Sequence, residues 1–170
     1  RKEIFALIEA AKKVHSVSKL QAGTEFKFKI VEKHNLVEEK IESMTIVISH
    51  TEQAQCERQQ QNWKCKIITY DITADIVDFQ GLVDLTLWGS ATEAGMDPGV
   101  VIKLSEVFAW QLDFNREIRA GDRWRLTVER LNVNGKNIGW GNILAAEYVN
   151  QGESFLAIRF PQTGTSKGYF

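Results

Sequence analysis

The chain has 170 residues, 44% hydrophobic and 25% charged, with Lys+Arg 21 against Asp+Glu 22 for a net charge of -1. That length suits one ordinary domain or one domain and part of another, and the composition is globular rather than disordered. The balanced charge lacks the basic footprint of a nucleic-acid binder and offers no attraction to an anionic membrane; no stretch approaches the ~18 apolar residues that span a bilayer.

The chain opens directly in a helical pattern, with no signal-peptide organisation, so Arg1 is expected to begin a fragment or a processed chain. Ile4, Leu7, Ile8, Ala11 and Val14 recur at helical spacing and predict an amphipathic helix over Lys2–His15. Leu20-Gln-Ala-Gly23 turns the chain. Phe26, Phe28 and Ile30 then alternate with Lys27 and Lys29, the pattern of a half-buried strand. A second strand reads through Met44, Ile46 and Ile48.

Cys56 and Cys65 are the two cysteines. The polar segment between them is centred between Gln60 and Gln61, and a hairpin centred there sets the cysteines opposite each other. Directly opposed antiparallel residues fall within disulfide range. A Cys56–Cys65 bond implies an oxidising compartment, the periplasm or the cell exterior. The alternative is two free thiols in a cytosolic protein. Gln53, Gln55, Gln59, Gln60 and Gln61 cluster near Trp63. Amides beside an aromatic suit a sugar or a peptide, but a solvated hairpin tip explains them more simply.

Another strand is expected over Asp75–Val83, then a helix over Asp84–Ala94 stopped by Gly95. Asp97-Pro98 restarts a helix that runs to Gln111, with Asp as N-cap and Pro in the first turn. Phe108, Trp110 and Phe114 cluster at its end and read as core. Arg119-Ala-Gly-Asp-Arg-Trp124 is a turn opening a strand in which Trp124, Leu126 and Val128 alternate. Asn134-Gly135 and Asn150-Gln-Gly152 separate two more strands, completing an antiparallel meander. Ile143, Leu144, Phe155, Ile158, Trp124 and Leu126 are its expected core. The tail Gln162–Gly168 is small and polar and reads as a loop or linker.

One internal echo stands out. Leu20, Gly23, Phe26 and Phe28 match Ile118, Gly121, Trp124 and Leu126 in spacing, each set following a helix and opening a strand. A recurrent helix–turn–strand solution accounts for this more simply than duplication.

Catalytic chemistry is hard to find. His15, His34 and His50 are scattered, with neither His-x-His nor His-x-x-x-Asp. His34 and Glu38 are spaced for a helix face, but their segment lacks a helical stripe. A zinc site needs three or four converging ligands. Gly-x-Ser-x-Gly is missing, and Gly135, Gly139 and Gly141 lie in a hairpin, not in a phosphate loop. The carboxylate pairs Asp113/Glu117 and Glu38/Glu39 read as solvated groups; a glycan hydrolase using acids such as Asp113 is the rival enzyme reading.

Several segments taken together resemble one family. Asp84-Leu-Thr-Leu-Trp-Gly-Ser-Ala-Thr-Glu-Ala-Gly-Met96 is similar to the "S-L-Y-E-A-A-x-E-A-G-L" helix upstream of the catalytic domain in bacterial M23 (LytM-type) cell-wall endopeptidases. Leu104–Phe114 resembles "L-A-D-I-F-A-W-D-I-D-F", and Ile118–Trp124 resembles "L-R-P-G-D-R-F". Ile143–Gly152 follows "I-L-A-A-x-F-x-N-x-G", and Gly168-Tyr-Phe170 resembles the "Y-Y" before the family's linker. The likeness is specific over Gly81–Phe170. It is weak over Ile4–Phe28, where Leu20-Gln-Ala-Gly23 resembles half of a LysM-like or OapA-like module.

The resemblance implies an α+β fold: a helix–turn–strand lobe over residues 1–33, then a mostly antiparallel β domain over 36–170 with two short helices. It implies that this chain is the non-catalytic N-terminal region of a zinc metalloendopeptidase of the periplasm or cell envelope, or a paralogue that lost its protease. The family's zinc ligands belong to a catalytic domain outside this sequence. The chain itself is then not an enzyme, carries no cofactor and has no catalytic or metal-ligating residue. The implied partners are an M23 protease domain in cis or in trans, and peptidoglycan. The alternative is a peptidoglycan-binding or protein-scaffold module.

Overall fold

The computed structural model describes residues 2–16, 20–32, 39–60, 62–114 and 116–160. They form an α+β protein of three described helices and two antiparallel four-stranded sheets. The chain divides into two compact units, Arg1–Ile72 and Thr73–Phe170. The division expected at residues 33–36 falls between two paired strands of the first sheet.

In the first unit, α1 (Lys2–Lys12) is followed by β1 (Phe26–Glu32), β2 (Glu39–Val47), β3 (Glu52–Gln59) and β4 (Asn62–Thr69). The strands neighbour one another in chain order. Two further turn bonds, from the Val14 and His15 N–H groups to the Ala11 carbonyl, carry α1 toward the expected His15. The period-3.6 face of α1 puts Leu7 and Ala11 onto the sheet, where they meet Met44, Ile46, Ala54 and Cys56. Outside that buried set, Phe26, Phe28 and Ile30 of β1 are 42–51% exposed. The alternation that predicts the strand is therefore real, but the helix leaves its apolar side open.

The second unit contains β5 (Thr73–Leu82), α2 (Leu87–Glu93), α3 (Pro98–Phe108), β6 (Arg123–Val133), β7 (Lys136–Asn150) and β8 (Glu153–Ile158). Its sheet runs β5-β6-β7-β8, and both helices pack on one face of it. Alternation sends Trp124, Leu126 and Val128 of β6 to that face, with Ile143, Ala146 and Tyr148 of β7. Val100, Leu104 and Phe108 of α3 close the core from above. Gly81 is needed beneath Trp124: a Cβ there would come within 2.5 Å of the indole.

Several expectations shift. The α2 helix begins at Leu87, not Asp84, because Thr86 is the N-cap and its Oγ1 accepts the Gly89 N–H at 3.0 Å. The α3 helix starts where Asp97-Pro98 sets it but ends at Phe108, three residues short of Gln111. Trp110 then points away and is 99% exposed, while Phe108 is buried and Phe114 packs edge-on against Tyr148. Ile158 is an exposed residue, not a core one, because on β8 the inward side holds Phe155 and Ala157. Leu144 is only half-buried; a register shift beside Val128 removes it from the regular alternation.

Candidate functional site

Among the described residues, no group of three His, Cys, Asp or Glu could hold a metal ion. His15 and His50 lie on separate segments, and His34 and Glu38 fall outside the described residues. The described side chains do not fit zinc, so no step of any reaction is assigned to them through it. Asp113 and Glu117 are both exposed, and they form a backbone cap: the Asp113 N–H donates to Glu117 Oε2 at 2.7 Å. The side chains of Glu38 and Glu39 lie outside the described ones.

The cysteine hairpin is set by the β3/β4 register, which pairs Cys56 with Cys65 directly. The two sulfurs are bonded at 2.03 Å. Cys56 is fully buried beneath α1. Two register positions away, on the same side of the hairpin, Arg58 stacks over the Trp63 ring at 5.0 Å. Its guanidinium also donates to the Ile41 carbonyl and to Glu3 of α1, at 2.9 and 2.6 Å. Trp63 is thus engaged with its own unit, and the ring that could have served a sugar beside the glutamines is occupied by Arg58.

The most organised polar cluster centres on Asp122, which is 3% exposed. Gly121, at φ 93°, turns the chain so that Asp122 points back into the fold. Its Oδ2 accepts from the Arg119 N–H at 2.9 Å, Tyr148 Oη at 3.1 Å and Asn150 Nδ2 at 2.8 Å. Its Oδ1 accepts from the Gln151 N–H at 3.1 Å. Burial pushes this carboxyl's pKa up, but the four donors outweigh it and hold the net value below the ordinary aspartate. Tyr148 is shifted upward by burial first and by the Asp122 charge second. An ionised Asp122 therefore ties the turn before β6 to the turn after β7. The cluster braces the fold, joining Arg119, Tyr148, Asn150 and Gln151 through one carboxylate.

Both turns are legible in the sequence, and the tie between them is not. The available signal was parity: Ala146, Tyr148 and Asn150 alternate on the inward side of β7, which places an amide and a phenol in the core, where each needs a partner. The sequence echo has a structural counterpart. Gly23 and Gly121 sit at φ 91° and 93°, and each turn carries the same three-residue bond, Thr24 N–H to Gln21 O and Asp122 N–H to Arg119 O.

The face of the second sheet away from the helices is the candidate interaction surface. Across it, Gln80, Arg125, Glu147 and Leu156 form one cross-strand row. The next row is Leu82, Arg123, Val149 and Ser154. Glu147 accepts from Ser154 Oγ at 2.8 Å and from Arg125 Nε, and these two bonds, the first foremost, lower its pKa. Asp78 accepts from Thr127 Oγ1 at 2.6 Å. Around this polar centre lies a shallow depression of ≈ 530 Å³, with Leu156 exposed at one side. Hydrogen-bonding groups ringed by aliphatic side chains suit recognition of a peptide or protein surface.

No protein-family profile matches the chain. It is 30% identical over 150 residues to the peptidoglycan DD-endopeptidase ShyC of Vibrio cholerae serotype O1, a match covering 88% of this chain and 34% of ShyC. The chain thus spans about a third of the length of the curated relative it matches. In fold it is similar to Helicobacter pylori Csd3 (TM-score 0.59, 14% identity, 94% of this chain and 42% of Csd3). It is also similar to a zinc-containing peptidase from Vibrio cholerae (TM-score 0.56, 17% identity, 92% of this chain and 47% of that one).

Proposed function

We propose that this chain is a regulatory or targeting region of a cell-wall zinc metalloendopeptidase of the M23 type, working in the periplasm or cell envelope. In this reading it docks on the catalytic domain and controls access to its zinc cleft. The observation that carries the reading is the similarity to ShyC along nearly the whole chain, across both compact units. The fold likeness to Csd3 and to the zinc-containing peptidase supports it, since each is matched over less than half of its own length. The described residues offer a hydrogen-bonding sheet face and no metal-holding group, an arrangement suited to contact. Zinc and its ligands belong, in this proposal, to the separate catalytic domain.

The sheet-end strands β5 and β8, unpaired on one side among the described residues, favour a second reading, a scaffold that recruits a wall enzyme by strand addition. Adding the chain in trans to an M23 protease domain, with cleavage of sacculi and wall pull-down measured together, separates the cases. Regulation gives inhibition without wall binding. Wall retention without inhibition turns the assignment to a peptidoglycan-binding module. Neither effect, with a cross-linked third protein, turns it to the scaffold. Released muropeptides from the chain alone would overturn its non-catalytic assignment.

A further inference from the structure

The free edges of the two sheets are not equivalent. Strand β4 resists pairing with itself, because an antiparallel twofold about Cys65 sets Lys64 against Lys66. Strand β1 resists pairing with itself, because an antiparallel twofold about Phe28 sets Lys27 against Lys29, and one about Lys29 sets that lysine against its copy. Strand β5 carries Asp75 and Asp78 and no basic residue.

Strand β8 differs. It ends its sheet, and among the described residues its packing runs to β7 and α3, which leaves its outer backbone edge unpaired. Leu156, Ile158 and Phe160, alternating along this segment, are 55%, 39% and 54% exposed. An antiparallel twofold through Leu156 sets Glu153 opposite Arg159 twice, once on each side of the axis. The same register sets Phe155 opposite Ala157, Ser154 opposite Ile158 and Gly152 opposite Phe160. Each large side chain meets a small one, and leucine meets leucine at the axis. Moving the axis one residue to Phe155 puts Glu153 opposite Ala157; moving it to Ala157 puts Arg159 opposite Phe155. Among these three registers, charge and size agree on the one about Leu156.

We propose that β8 is a self-association edge, through which a second copy of this chain pairs antiparallel about a twofold at Leu156, joining two four-stranded sheets into one of eight. The contact is isologous and closed, so it yields a dimer and not a fibre. The Glu153–Arg159 pairs set the register and Leu156 is its apolar centre. Glu129, the acidic group within electrostatic reach of Arg159, already accepts two bonds from Asn142, at 2.9 and 2.7 Å. Among the described residues Arg159 forms no ion pair. This inference is independent of the cell-wall reading.

Sedimentation equilibrium of the full 170-residue chain tests it. The wild type is expected to double its mass as concentration rises. Glu153→Arg opposes two arginines and Arg159→Glu opposes two glutamates, so each single exchange abolishes the dimer. The double exchange restores it, an outcome a misfolded variant cannot produce. Leu156→Lys also abolishes it. A wild type that stays monomeric throughout, or a dimer indifferent to all of these exchanges, overturns the proposal. So does a double variant that stays monomeric while its circular dichroism matches the wild type.

Discussion

At the residue scale, Asp122 shows how a charge is kept inside a protein of modest size. Its four donors come from the turn before β6, from the end of β7 and from the turn after it, and each would lose an acceptor if the carboxylate were removed. Asp122→Ala is expected to destabilise the second unit by on the order of 3 kcal/mol, measurable as a lower denaturant midpoint. The sign of the pH dependence follows from the direction of the shift. A carboxyl whose folded pKa lies below its unfolded value adds stability above the unfolded value and loses it as pH falls through the folded one. Asp122→Asn should therefore cost stability at neutral pH and leave a shallower loss below about pH 4. Equal slopes in the two proteins on acid titration would remove Asp122 from this role.

At the scale of elements, the cysteine hairpin makes the clearest energetic statement. Cys56 and Cys65 close a loop with a sequence separation of 9. On the chain-entropy account, a loop that short stabilises the fold by roughly 2.5–3 kcal/mol. The double variant Cys56→Ser and Cys65→Ser should lower the stability of the first unit by about that amount and leave the second unit's transition in place. Two transitions that shift together would contradict this. Elements were the most legible level in the sequence. Asn134-Gly135 and Asp97-Pro98 act through their own backbone preferences, so a local reading found them. The residues misplaced were those whose position depends on a neighbour's register. Ile158 looks like core until β7 assigns Ala157 to the inward side. Leu144 follows an apolar run, but the bulge opposite Val128 changes its side. Trp110 reads as part of an aromatic cluster, but α3 ends before it. The interaction face was the least legible, because Gln80, Arg125 and Glu147 come from three strands and meet only through pairing.

At the scale of the molecule, each unit owns a separate buried cluster, among the described residues six in the first and sixteen in the second. The second cluster includes Phe108, Trp124 and Tyr148, and the first depends on α1 and the bonded hairpin. A fragment over Thr73–Phe170 is therefore expected to fold alone, giving dispersed amide resonances and a cooperative melt. A fragment over Arg1–Ile72 should do so only while oxidised. Collapsed resonances in the larger piece would show that its core needs the first unit.

Trp63 is the only tryptophan of the first unit, and it packs with Cys65 against that unit's core. Excited indole is quenched by a nearby disulfide, so this ring should be dim in the oxidised protein and brighten on reduction. The other four tryptophans belong to the second unit. Trp124, sealed in the core, should emit to the blue, and Trp110, open to water, should emit to the red and yield first to iodide. The chain thus carries its own optical labels in each half, and the two halves can be followed in the same cuvette without attaching a dye.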